Sequence, residues 1–262
     1  MKISPPKGVN FPDVDKISVM KEAMKHFDPE ILRLARSRRG PYLAALIAPR
    51  GSHAGLLAVL ALDGELARIV RSVSEPMLGR IRLQWWVDVM PGVVGGRPPS
   101  HPVAQALAPQ GLDLALLRGL VEAYNFDLDD GTADVAQHIE RARLRGGVFA
   151  DLLLSVLGVA DAPIRQAAHD VVSAWIIAEA LTEGLRIGSN EDAQALRDQA
   201  LRWVAEARTR AMSTDARKPQ RRAALPVLLL AQPVERRLKD VHDPLGAAAV
   251  LGMWWGSIVG RF

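Results

Sequence analysis

Between His53 and Val73 the apolar side chains fall at Leu56, Leu57, Val59, Leu60, Leu62, Leu66, Ile69 and Val70. On a helix of 3.6 residues per turn that spacing covers a wide face, so the segment is expected to lie between neighbours in a core. Ser74-Glu75-Pro76 then interrupts it. A second helix begins there, because the fixed φ of proline suits the first helical turn and its missing N–H is not needed. Ser74 is the candidate N-cap. So short a connection predicts that the helices around 53–73 and 77–90 run antiparallel and pack side by side. The second carries Arg80, Arg82, Trp85, Trp86 and Asp88. Adjacent residues on a helix point about 100° apart, and core packing is expected for both tryptophans.

The rest of the chain reads the same way. β-branched runs alternating with polar residues are nearly absent, and no Asn-Gly or Asp-Gly turn joins two such runs. Residues 1–12 read as an extended lead and Val14 to His26 as a short amphipathic helix, expected to dock on the domain or on a partner. Asp28-Pro29-Glu30 supplies an N-cap, a first helical residue and an acid for the first turn, and Gly40-Pro41 breaks the pattern. Tyr42 to Ala48 is apolar and helical; the Pro76 helix ends near Gly95-Gly96. Further helical patterns span His101 to Leu107, Leu112 to Phe126, Asp134 to Leu157, Pro163 to Arg186, Asp192 to Met212, and Arg221 to Val241 with a break at Pro233. An apolar segment, Ala247 to Ile258, ends the chain. With no linker in 262 residues, the expectation is an all-α single-domain helical bundle over 27–262 behind an N-terminal extension, 1–26.

Charge narrows the partners. The net charge is only +4, yet Arg202, Arg208, Arg210, Arg217, Lys218, Arg221, Arg222, Arg236, Arg237 and Lys239 crowd one stretch, opposed by Glu206, Asp215 and Glu235. Such a stretch either meets an anionic partner or forms a solvated helix face. Nucleic acid is not expected, since no helix-turn-helix, zinc-ligand or aromatic RNA-binding signature accompanies the charge. There is no cysteine, which excludes disulfides and thiolate metal sites. The six histidines show no His-x-x-x-His or His-Glu-x-x-His spacing, and neither a phosphate-binding Gly-rich loop nor a Gly-x-Ser-x-Gly elbow occurs. The longest uncharged run, Pro244 to Gly260, has 17 residues and four glycines. A buried terminal helix, or insertion between lipid headgroups, suits it better than a membrane span.

Val-Ser-Glu-Pro-Met-Leu-Gly-Arg-Ile-Arg-Leu-Gln-Trp-Trp, residues 73–86, resembles the helix-break-helix signature of the squalene and phytoene synthase family, in the branch that includes a mitochondrial complex I assembly factor and bacterial relatives. His26-Phe27-Asp28-Pro29, Tyr42 to Pro49, His101-Pro102-Val103 and Ala223 to Pro233 resemble other landmarks of the branch. The resemblance runs from about Phe27 to the C-terminus and is densest before Ala160. It implies the isoprenoid-synthase fold, a helical bundle around a central cavity.

Enzymes of that family carry two Asp-rich motifs on facing helices. Mg²⁺ prefers oxygen ligands and is shared between carboxylates and substrate phosphates, so Asp residues four apart hold it against the departing diphosphate. Laid on this sequence, the first motif falls on Ala67 and Arg71, a methyl group and a cation. The second falls on Thr182, Glu183 and Ile187, leaving one carboxylate. Arg68, Arg71, Arg80 and Arg82 are candidates for binding a diphosphate or headgroup directly, and the resemblance puts Arg71 on the cavity wall.

Three functions remain open. The resemblance with lost metal ligands implies a pseudoenzyme: a non-catalytic assembly or interaction factor for a membrane complex of the respiratory, complex I-like kind. It would use no cofactor and would bind a protein partner, with anionic or prenyl lipid as a further ligand. The alternative is an active Mg²⁺-dependent prenyl diphosphate transferase with a rearranged metal site of Asp63, Glu65 and Glu183, helped by the acidic cluster Asp127, Asp129 and Asp130. A structural subunit of a larger mitochondrial or bacterial membrane assembly is the third. The N-terminus lacks the apolar core of a secretory signal and the composition of a mitochondrial presequence. The expected location is the bacterial cytoplasm or mitochondrial matrix, peripheral to the inner membrane.

Overall fold

Asp28 opens the first helix as its sequence requires. Its carboxylate accepts from the Glu30 N–H at 2.7 Å, and Pro29 takes the first helical position. The computed structural model describes residues 27–128, 133–182, 187–213 and 218–239; no strand occurs among the described residues. In order the helices are α1 (Pro29–Ser37), α2 (Arg39–Ile47), α3 (His53–Ser72), α4 (Pro76–Val94), α5 (Pro102–Leu107), α6 (Leu114–Ala123), α7 (Val135–Val156), α8 (Ala162–Thr182), α9 (Asn190–Met212), α10 (Lys218–Leu228) and α11 (Ala231–Lys239). A 3₁₀ turn, Tyr124–Leu128, follows α6. The expected segments Val14 to His26, Asp129-Asp130 and Pro244 to Gly260 lie outside the described residues, as do Glu183 and Arg217.

Two helices hold the centre. In α3 every residue from Gly55 to Ala67 is buried, as its all-round apolar pattern requires, and α1, α2, α5 and α7 pack on it. α8 is buried at Ala167, Ala168 and from Asp170 to Glu179, enclosed by α7, α9, α10 and α11.

Several local expectations are corrected. Pro76 does occupy the first turn of α4, but the N-cap is Glu75 rather than Ser74. α4 touches α3 at the corner and then packs chiefly against α6, because its inner face of Gly79, Leu83, Trp86, Met90 and Val93 is met by α6 and the 3₁₀ turn. Trp86 is in the core and Trp85 is not. Gly40-Pro41 does not break a helix; the break is at Arg38 (φ −94°, ψ 63°), and both residues sit in the first turn of α2, where proline is tolerated. Pro233 likewise sits in the first turn of α11, and the late interruption falls at Leu229-Leu230.

Candidate functional site

Arg38, the non-helical residue between α1 and α2, sends its side chain into the interior, where it is 4% exposed. Two close approaches aim it. A Cβ on Gly64 of α3 would lie 2.5 Å from the Leu34 carbonyl of α1, so only glycine lets these helices meet where they do, and Asp63 arrives beside Arg38 one turn after Leu34. A Cβ on Gly40 would lie 2.2 Å from the Trp175 ring of α8, which seats the start of α2 one turn from Glu179. Arg38 Nε then stands 2.5 Å from Asp63 Oδ2, and its Nη2 donates to Glu179 Oε2 at 2.7 Å. Asp63 is 1% and Glu179 7% exposed.

A second layer completes this bridge. Tyr124 donates to Asp63 Oδ1 at 2.5 Å and also reaches the Asp63 carbonyl at 3.2 Å. Arg145 lies 4.9 Å over the Tyr124 ring and donates to Asp127 at 2.6 Å. Burial alone would push the Arg38 pKa down, but Asp63 and Glu179 outweigh it and hold the guanidinium well above its ordinary value. Burial, with the Asp63 charge beside it, pushes the Tyr124 hydroxyl well up. Arg38 therefore stays a cation and Tyr124 a neutral donor.

The expected site residues are scattered around this bridge rather than gathered in it. Ala67 is buried on α3, while Arg71 is exposed near the helix end and not on an interior wall. Glu65 is held by Arg68 through two hydrogen bonds, of 2.9 and 2.6 Å. Arg80 and Arg82 are exposed on α4, with Arg82 3.4 Å from the Ser72 hydroxyl. Thr182 bonds back to the Ala178 and Glu179 carbonyls, and Ile187 is half-buried. The basic stretch is partly internal wiring: Arg208 pairs with Glu235, Arg210 with buried Asp170, and Arg237 lies over Trp175.

Arg38, Tyr124 and Glu179 were not singled out by sequence. One signal existed: Glu179 interrupts the apolar run Trp175 to Leu181, and an acid at a core position needs a buried cation. Which cation it meets depends on the two glycine contacts, which no periodicity reveals.

This fold meets a known family. The squalene/phytoene synthase model matches residues 34–186, more than half the chain, and the chain belongs to that family. The NADH dehydrogenase (ubiquinone) complex I, assembly factor 6, of Homo sapiens is 30% identical over 151 residues, which are 56% of this chain and 45% of that protein. Its Bos taurus counterpart is 30% identical over 135 residues, 50% of this chain and 40% of that protein. The matched stretch thus spans less than half the length of these relatives. A crystal structure of a dehydrosqualene synthase in complex with ligand superposes with a TM-score of 0.62 at 14% identity, covering 94% of this chain and 98% of that one. The squalene synthase HpnC from Alicyclobacillus acidocaldarius gives 0.52 at 16%, covering 95% and 94%. At these identities the likeness is one of fold, the isoprenoid-synthase bundle.

Among the described residues, which do not include Glu183, Asp129 or Asp130, the side chains do not gather as the Mg²⁺ cluster of family enzymes would need. No group of three or more His, Asp or Glu side chains converges among the described residues. Two of the buried carboxylates, Asp63 and Glu179, each stand four residues before the position on which the family resemblance lays the first Asp of a motif, Ala67 and Glu183. Both are ion-paired to Arg38, and a dication placed between them would face a guanidinium.

Proposed function

We propose that this protein is a non-catalytic member of the squalene/phytoene synthase family that acts as an assembly or interaction factor for a membrane-bound respiratory complex of the complex I type. The observation that carries the reading is the Arg38 bridge. α3 and α8 still bring acids inward, but a permanent internal cation is ion-paired to both, so the position that a metal ion would need beside them is taken by a guanidinium. The relatives from Homo sapiens and Bos taurus are named as complex I assembly factors, and the role is extended to this chain on that ground. Its partner is then a protein of the nascent complex, its place the matrix or cytoplasmic face of the inner membrane, and its chemistry needs no cofactor.

Two measurements test this. Incubation of the purified chain with farnesyl and geranylgeranyl diphosphates and Mg²⁺ is expected to release no pyrophosphate. Mg²⁺-dependent release would overturn the non-catalytic reading in favour of a transferase built on Asp63, Glu65 and Glu183. Loss of the gene in its host is expected to lower NADH:quinone oxidoreductase activity in membranes, with partly assembled intermediates on native gels. Unchanged activity and assembly would overturn the assembly role. Stoichiometric retention of the chain in the finished complex would instead make it a structural subunit.

A further inference from the structure

The inner face of α4 is accounted for by packing, but its outer face is apolar too. Met77 is 62%, Ile81 59%, Leu78 46% and Trp85 40% exposed. At about 100° per residue, Met77, Leu78 and Trp85 all fall within about 60° of Ile81, forming one stripe over the first turns of the helix. Arg80 and Arg82 lie about 100° to either side of Ile81, so a basic side chain flanks the stripe on each edge. They are the only ionisable residues between Pro76 and Val87, and an exposed acid stands at each end of the stripe, Glu75 before it and Asp88 after it, the latter accepting from Gln84 at 2.8 Å. Trp85 is held at the border, its ring 5.0 Å from Trp86 and 5.6 Å from His101.

We infer that this face of α4 docks on an anionic membrane surface, with the Met77, Leu78, Ile81 and Trp85 side chains between the lipid headgroups and Arg80 and Arg82 on the phosphates. Charge is the first argument. The two lateral flanks are basic, and long basic side chains beside an apolar stripe keep their charge at headgroup level while the stems cover apolar surface. Size is the second. The stripe exposes on the order of 400 Å², the size of the largest apolar patch on an ordinary monomer, which is often functional, and about half of the ~800 Å² per partner of a stable protein interface. Shallow insertion aided by charge needs no more. Trp85 at the margin suits the interfacial zone, where tryptophan is enriched. The basic stretch on α9 to α11 is a weaker candidate, since among the described residues Met212 is its only exposed large apolar side chain. The inference goes beyond the assembly role and does not depend on it.

Because the chain has no cysteine, one introduced thiol reports one position. Ile81→Cys labelled with an environment-sensitive nitrobenzoxadiazole dye is mixed with vesicles of phosphatidylcholine containing roughly a quarter phosphatidylglycerol, or of phosphatidylcholine alone. The expected result is a blue shift and co-sedimentation with the anionic vesicles only, with no shift for the same dye on Ala195→Cys, an exposed position of α9. Arg80→Gln and Arg82→Gln should each weaken binding about fivefold, and added salt should do the same. Ile81→Asp, a surface change checked for fold by circular dichroism, should abolish it. Failure to bind anionic vesicles, or binding unaffected by Ile81→Asp, would overturn the assignment. A dye at position 81 that stays in water on vesicles but is buried by a second copy of the chain or by a protein partner would overturn it too.

Discussion

Arg38 is a single side chain whose removal exposes two others. Arg38→Met leaves Asp63 and Glu179 as buried acids without a counter-charge, and breaking a buried pair from one side typically costs about 3–5 kcal/mol. Replacing all three, as Arg38→Met with Asp63→Leu and Glu179→Leu, should recover most of that, because Tyr124 keeps the Asp63 backbone carbonyl as its acceptor. Urea unfolding of the single and triple variants measures the difference; equal losses would mean that volume rather than charge matters there. His138 supplies a pH dependence. Burial first, then the nearby Arg141 cation, lowers its pKa from the ordinary value near 6.5, and its Nε2 is buried with no hydrogen bond to the described residues. Below about pH 6.5 the unfolded chain binds a proton that the folded chain refuses, so stability falls as pH drops through that window toward the lowered pKa. His138→Gln should flatten this part of a stability–pH curve. At this scale the sequence was least informative. The acid at Asp63 was visible, but its partner comes from the α1–α2 junction, where a non-helical Arg38 looks like any other charge in Arg-Ser-Arg-Arg.

Elements were far more legible, because caps and apolar spacing are local. Asp134 caps α7 through Gln137 N–H at 2.7 Å while the Gln137 side chain accepts from Asp134 N–H at 2.9 Å. Asp134→Ala should cost about 1 kcal/mol in thermal or urea unfolding, and an unchanged midpoint would show that packing of α7 on α8 leaves the cap idle. What the pattern misplaced were breaks at proline. Pro41 and Pro233 look like stops yet stand in first turns, and the true junctions, at Arg38 and Leu229-Leu230, carry no proline at all. Packing partners were also out of reach. A short connection between α3 and α4 makes them neighbours at the corner, but α6 offered the better match for the inner face of α4. The exposed side of the same helix was hidden by its composition: apolar residues on both faces look like burial on both, which is why Trp85 was placed in the core.

The whole molecule keeps the scaffold of a synthase family, and in the reading proposed above it does so without the enzymes' paired acids. Restoring the first motif alone should therefore fail. Ala67→Asp with Arg71→Asp is expected to show no Mg²⁺ binding by calorimetry, because Arg38 still occupies the neighbouring Asp63 and Glu179; binding by this variant would mean the bridge can open. Fold and family could be read from residues 73–86 and the helical periodicity, since both are written in contiguous sequence. The bridge could not, since Arg38 and Glu179 are 141 residues apart. That separation has its own effect while the chain is being made. At about 5–20 residues per second, synthesis of the interval takes on the order of ten seconds. Through that time Arg38 has one acid within reach and keeps its water. The first half of the protein cannot complete the bridge until α8 has emerged.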